Sequence, residues 1–354
     1  MNTLKKDTTI AWFAALCFFL STIEYMIPKP LPFLRLGLAN LPVMLAIGVL
    51  PFGQFCALVL IKVLGQGLIG GTLFSYIFVF SMAGPVASAA VMYGLKRLFP
   101  KSVSYIGISV IGAFASNAAQ LTLARWYIFG ESAWLIAPPF IAVGAVTGAL
   151  LGAFANRYAE KSAWYRAART CALEGLIAPS VEGPLFSANA GAFAEAGRGG
   201  GFWHNSAFRL VAGIMLILAL LFTESLPVQA GLAGLAVVLV LADRSRIRIL
   251  PVFVMSASIV LFNLFVPFGR VVVTPLGYPL TEGAILLGIK KALSVEGMVF
   301  FSRWMLKPGF RLPGRAGKLV AQAFGLVGRL TADRKKIDPR NLIASLDAVM
   351  LGRD

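Results

Sequence analysis

Residues 74–94, 103–124 and 134–156 are each long enough to cross a membrane and hold no charged side chain. As an α-helix, about 17–25 apolar residues cover the roughly 30 Å of bilayer hydrocarbon. Only a helix or a closed barrel satisfies its own backbone there. Apolar stretches bounded by proline, glycine or charge fall near 8–27, 36–51, 54–72, 74–94, 103–124 and 134–156, and again near 208–222, 228–242, 249–266 and 283–306. The sequence thus predicts an all-α polytopic membrane protein with ten spans. Its composition agrees, since 58% of residues are hydrophobic and 13% charged, against roughly 45–50% and a quarter in soluble domains.

A formal net charge of +17 would suit nucleic acid, yet the cations gather at the ends of apolar segments and in one tail. That is the positive-inside distribution, and it implies no nucleic-acid partner. With Lys5 and Lys6 inside, Lys96, Arg97 and Lys101 fall inside too, as do Arg157, Lys161, Arg166 and Arg169. Both termini are therefore predicted to be cytoplasmic in a cell (inner) membrane. The basic-then-apolar start is read as an uncleaved first helix, because spans follow it and no small-residue cleavage pattern is convincing.

Four regions result: a six-span domain at 1–156, a cytoplasmic linker at 157–207 ending near Arg198-Gly199-Gly200-Gly201, a second membrane module at 208–306, and a basic tail at 307–354. In the tail, Leu319, Val320, Ala323, Phe324, Val327 and Leu330 recur at helical spacing. Arg315, Lys318 and Arg329 flank that stripe and are the candidate contacts to anionic lipid or a partner. Asp338-Pro339 offers the start of a last short helix.

Several familiar signatures fail on inspection. Gly65-Gln66-Gly67-Leu68-Ile69-Gly70 fits GxGxxG but lies in an apolar span without the strand that a dinucleotide site needs, so it reads as close helix packing. No GxxxxGK[ST] occurs, so ATP coupling would require ATPase subunits in trans. His204 is the single histidine, and Cys17, Cys56 and Cys171 have no ligand spacing, so neither a metal nor a cofactor is implied. No aspartate enters a span, and the clustered carboxylates that would hold magnesium against a leaving diphosphate are missing. No catalytic residue is assigned, and a non-enzyme is expected.

Polar side chains at membrane depth are costly unless paired or facing water. One set is Glu24, Arg35 and Asn40, brought together by the hairpin Pro28-Lys29-Pro30-Leu31-Pro32. The other is Lys62 with Asn117 and Gln120, the two amides sharing a helix face at i and i+3. Substrate binding and plain structural pairing both account for them. Gly144, Gly148 and Gly152 form a small-residue stripe for close helix approach. In the second module, Lys291 with Glu296 or Glu282 is expected to pair across helices.

Arg35-Leu36-Gly37-Leu38-Ala39-Asn40, Lys62, Gly71-Thr72-Leu73-Phe74-Ser75, Ser81, Gly84, Ser88 and Gly112-Ala113 through Asn117 and Gln120 together resemble the Gx transporter family. That family also carries the name heptaprenyl diphosphate synthase component I. The resemblance covers roughly residues 8–156, with Ser116 standing where the family would place a histidine before Asn117. It is similar in turn to the substrate-binding S components of energy-coupling-factor transporters, six-helix proteins that bind vitamins near their outer face. Pro267-Phe268-Gly269, Thr281 to Gly288 and Ser302-Arg303 resemble, more weakly, the T component of those transporters. The long coupling helices of a T component are not evident, and Gly314-Arg315-Ala316-Gly317 only approximates their motif.

The resemblance implies a six-helix S-component-like bundle followed by a roughly four-helix T-component-like module. It also implies a transporter subunit binding a vitamin-, flavin- or isoprenoid/quinone-like molecule at an outward-facing cavity. A membrane scaffold for flavin- or quinone-linked extracytoplasmic electron transfer is the alternative reading. A non-catalytic component of prenyl diphosphate synthesis comes third.

Overall fold

The helices of the first bundle end where the sequence supplies a breaker. α1 is Asn2–Met26. α3 (Phe52–Gly70) follows Pro51 and stops at Gly71, whose φ of +63° lets the Gly71 and Thr72 amides turn back onto the Leu68 and Gly67 carbonyls. α4 is Tyr76–Leu98. α5 (Tyr105–Ala124) opens on Ser104, whose hydroxyl accepts from the Gly107 amide at 3.3 Å. A π-helical turn at Arg125–Phe129 and a tight turn at Gly130–Ser132 lead into α6 (Ala133–Lys161). A short α7 (Ala163–Arg169) follows.

The computed structural model describes residues 2–26, 36–169, 206–243, 247, 249–274, 278–306, 314–332 and 341–351 and is 84% helical. Among the described residues, three helical stretches are long and apolar enough to cross a membrane: Phe52–Gly70, Tyr76–Leu98 and the continuous run Tyr105–Lys161. Thr9–Glu24, Phe208–Phe222, Leu226–Ala242 and Ile249–Leu264 are apolar but shorter.

The expected span at 36–51 is corrected. α2 (Asn40–Ala46) has only 7 residues, about 10 Å at 1.5 Å each, and the chain then turns through Gly48 before Pro51.

α5 and α6 form an antiparallel pair through the glycine stripe. A Cβ on Gly152 would lie 2.5 Å from Ile106 Cα, and one on Gly148 would lie 3.2 Å from Val110 Cα. Hydrogen atoms at these positions let the two backbones touch.

The second module comprises α8 (Ser206–Phe222), α9 (Leu226–Ala242), α10 (Ile249–Leu264) and α11 (Glu282–Met305). A short antiparallel hairpin, β1 (Val271–Val273) with β2 (Leu280–Thr281), joins the last two helices. Arg209 staples one end of the module: its guanidinium meets Asp243 at 2.5 and 2.9 Å and lies over the Trp304 ring.

The expected pairing of Lys291 with Glu296 or Glu282 does not form, because all three residues are on α11. Half-buried Lys291 and buried Glu296 turn to α10 instead. Lys291 donates to Asn263 Oδ1 at 3.1 Å, and Glu296 Oε1 accepts from Ser256 at 3.2 Å.

The two modules meet end to flank. Phe80, Leu121, Ala124, Ile128, Phe129, Ala133, Ile136 and Phe140 pack on Met255, Ile259, Val260, Phe262, Ala292 and Val295. The first group lies within two turns of a helix end, or in the turn itself, whereas Ala292 and Val295 sit mid-helix. Phe74 N donates to Ser302 Oγ at 3.1 Å, and Asn263 Nδ2 donates to the Ile128 carbonyl at 3.3 Å.

The tail folds back on the first bundle. α12 (Gly314–Ala332) packs along α1 and touches α3, burying Leu319, Val320, Ala323 and Leu330. The apolar stripe read from the sequence is thus covered by the chain itself. α13 (Leu342–Leu351) reaches α7, where Asp347 accepts from Ser162 Oγ at 2.6 Å and from the Ala163 amide at 2.5 Å. Lys318 is exposed. The side chains of Arg315 and Arg329, and all of Asp338, Pro339, Arg198 to Gly201, His204 and Cys171, lie outside the described residues.

Candidate functional site

Between α1, α2, α3, α4, α5 and α6 lies a cavity lined by Glu24, Asn40, Lys62, Asn117 and Gln120, five of the six substrate-binding candidates read from the sequence. Arg35, the sixth, falls outside the described residues. Gln66, Ser88, Ser109, Ser116 and Thr147 complete the polar wall, while Met44, Met92, Pro85 and Leu151 supply apolar surface.

Each side chain is placed by local geometry. Near the end of α1, Glu24 accepts from the Leu36 amide at 2.8 Å and so holds the chain entering α2. Gly37, with φ of +79°, makes the bend that sets Asn40 at the start of α2, where its Oδ1 accepts from Lys62 Nζ. Lys62 is 1% exposed. One turn further along α3, Gln66 donates to Ser21 Oγ of α1.

The two amides of α5 stand in notches cut by glycine on both neighbours. A Cβ on Gly84 of α4 would lie 2.3 Å from Gln120 Nε2, and one on Gly144 of α6 would lie 2.2 Å from Asn117 Nδ2. Asn117 Nδ2 also donates to the Phe140 carbonyl at 2.9 Å. Gly144 therefore belongs to the cavity as well as to the stripe, whereas Gly152 serves packing alone.

The sequence reading did not single out Gln66, Ser109 or Thr147, and it used Ser88 and Ser116 only as marks of family likeness. Gln66 stands four residues after Lys62, so the same helix face carries both. Its neighbours Gly65 and Gly67 pack against Phe18 and Phe78, which is what GxGxxG does here.

Chemically, the wall offers one carboxylate, one ammonium, four carboxamides and several hydroxyls. Beside the apolar surface of Leu36, Leu41, Met44, Met92 and Leu151, these groups offer both donor and acceptor edges to whatever enters. The water-accessible volume is about 50 Å³, room for roughly three to five waters at about 10–15 Å³ each. Sites for drug-sized ligands run about 300–1,000 Å³, so a ligand of that size enters only if a wall moves. Among the described residues no group of three or more His, Cys, Asp or Glu side chains could hold a metal ion.

Comparison with known proteins gives two family matches. Residues 13–158 match the family described as heptaprenyl diphosphate synthase component I, and residues 205–308 match a domain of unknown function. No curated protein and no solved structure matches the chain. The first bundle is thus similar, over residues 13–158, to the heptaprenyl diphosphate synthase component I family.

Proposed function

We propose that this chain is a non-catalytic membrane component that holds a small polar molecule in the cavity of its first bundle. The observation that carries the reading is convergence. Polar groups from α1, α2, α3, α4, α5 and α6 share one cavity, although each would be expensive facing lipid. Lys62 and the carboxamides would recognise a carbonyl or anionic edge of the ligand, and Glu24 and the hydroxyls a donor edge.

A vitamin- or flavin-like heterocycle, which joins polar edges to an apolar body, suits this mixed wall. The cation distribution supports a cavity opening outward with both termini cytoplasmic in the cell (inner) membrane. Without a phosphate-binding GxxxxGK[ST] segment, any ATP-driven step belongs to subunits in trans. The second module, which resembles a T component, would receive the movement through its contacts with the turns at 71–75 and 125–132.

The test is identification, by mass spectrometry, of small molecules released from the detergent-purified chain. A polar heterocycle at near-stoichiometric amount is the expected result. Recovery of lipid or quinone alone would overturn the reading.

A further inference from the structure

An aromatic pair links the tail to the helices that wall the cavity. Phe324 of α12 stacks on Phe18 of α1, with ring centroids 5.0 Å apart and planes at 28°. Phe18 is fully buried, and its ring occupies the space above Gly65 of α3, where a Cβ would come within 2.0 Å of Phe18 Cζ. Gly65 lies between Lys62 and Gln66, both in the cavity wall. One turn beyond Phe18, Ser21 accepts the hydrogen bond from Gln66.

We infer that Phe324 is a positioning residue for the cavity. By holding the Phe18 ring in the Gly65 notch it fixes the spacing of α1 and α3, and through that spacing the places of Lys62 and Gln66. Close-packed interiors transmit such displacements because no void absorbs them. Docking of α12 therefore sets how readily the cavity opens. The inference takes its biological meaning from the cavity being a ligand site, but the geometry is tested without any ligand.

In the full-length chain carrying Cys17→Ala, Cys56→Ser and Cys171→Ser, a Ser88→Cys substitution places one thiol in the cavity wall. Its rate of reaction with a small water-soluble methanethiosulfonate reports access. Phe324→Ala is expected to speed labelling roughly two- to tenfold, the ratio that loss of one aromatic stack translates into. Phe324→Tyr, which keeps the ring, is expected to restore the slow rate. Asp347→Asn loosens the tail at α7 without touching Phe18, so it should lower the melting temperature yet leave labelling unchanged.

An unaltered rate in folded Phe324→Ala, or an equal increase in Asp347→Asn, would overturn the inference. If Phe324→Ala does not fold, Phe324→Leu replaces it, with a smaller increase expected and an unaltered rate again decisive. Altered labelling in a chain that retains no small molecule would leave this inference standing and remove the ligand reading.

Discussion

Both modules carry polar side chains at membrane depth, and they arrange them differently. In the second module the groups couple directly across two helices, Lys291 with Asn263 and Glu296 with Ser256. In the first bundle Lys62 with Asn40 and Gln66 with Ser21 also pair across helices, but they do so around a shared space, with Gly84 and Gly144 clearing room around Gln120 and Asn117. Interhelical polar pairs hold a bundle together, whereas polar groups around a cavity leave hydrogen-bonding capacity for something else. That difference is what supports the proposal of a binding role for the first bundle.

The strongest way to break this comparison is to close the first bundle's glycine contacts. Gly152→Val puts a branched side chain where even a Cβ would lie 2.5 Å from Ile106 Cα. It should cost about 3 kcal/mol by overpacking, read as a large fall in melting temperature in detergent.

Next comes Asn117→Leu with Gln120→Leu, which removes two hydrogen-bonding groups worth about 0.5–1.5 kcal/mol each and should weaken ligand retention about tenfold or more. Part of the stability loss expected there, about 1 kcal/mol, comes from stranding the Phe140 carbonyl. Lys291→Met sharpens the contrast from the other side: it should cost about 0.6 kcal/mol of stability with ligand retention unchanged.

The smallest effect on stability is expected on the tail's basic face. Replacing Arg315, Lys318 and Arg329 with glutamine should remove about 1 kcal/mol of attraction to anionic vesicles per cation, measured by flotation. The melting temperature should barely move, since the buried stripe stays intact.

The cavity was legible because a charged or amide side chain stands out in an apolar run. Glu24, Asn40, Lys62, Asn117 and Gln120 were all found that way, and the i, i+3 spacing placed the last two on one face. Gln66 was hidden inside a glycine motif, and small hydroxyls such as Ser109 look the same in sequence whether they bond to their own helix or face a cavity.

The all-α membrane class followed from length and apolarity, but α2 was not separable from a span until the turn at Gly48 was seen. The tail's stripe was readable as amphipathic. Nothing in a stripe says what covers it, and here it is α1. The coupling of α10 to α11 escaped because charges spaced along one helix do not reveal which partner each faces.

The most direct test of the central claim is to compare two sets of variants for the same retained molecule. Once that molecule is identified, native mass spectrometry of the intact chain would count the bound fraction in Asn117→Leu/Gln120→Leu and in Lys291→Met, each first shown to be folded by its melting curve. Loss of the bound species in the first and full occupancy in the second is the predicted result. Equal occupancy in both, or loss confined to Lys291→Met, would contradict a binding cavity in the first bundle.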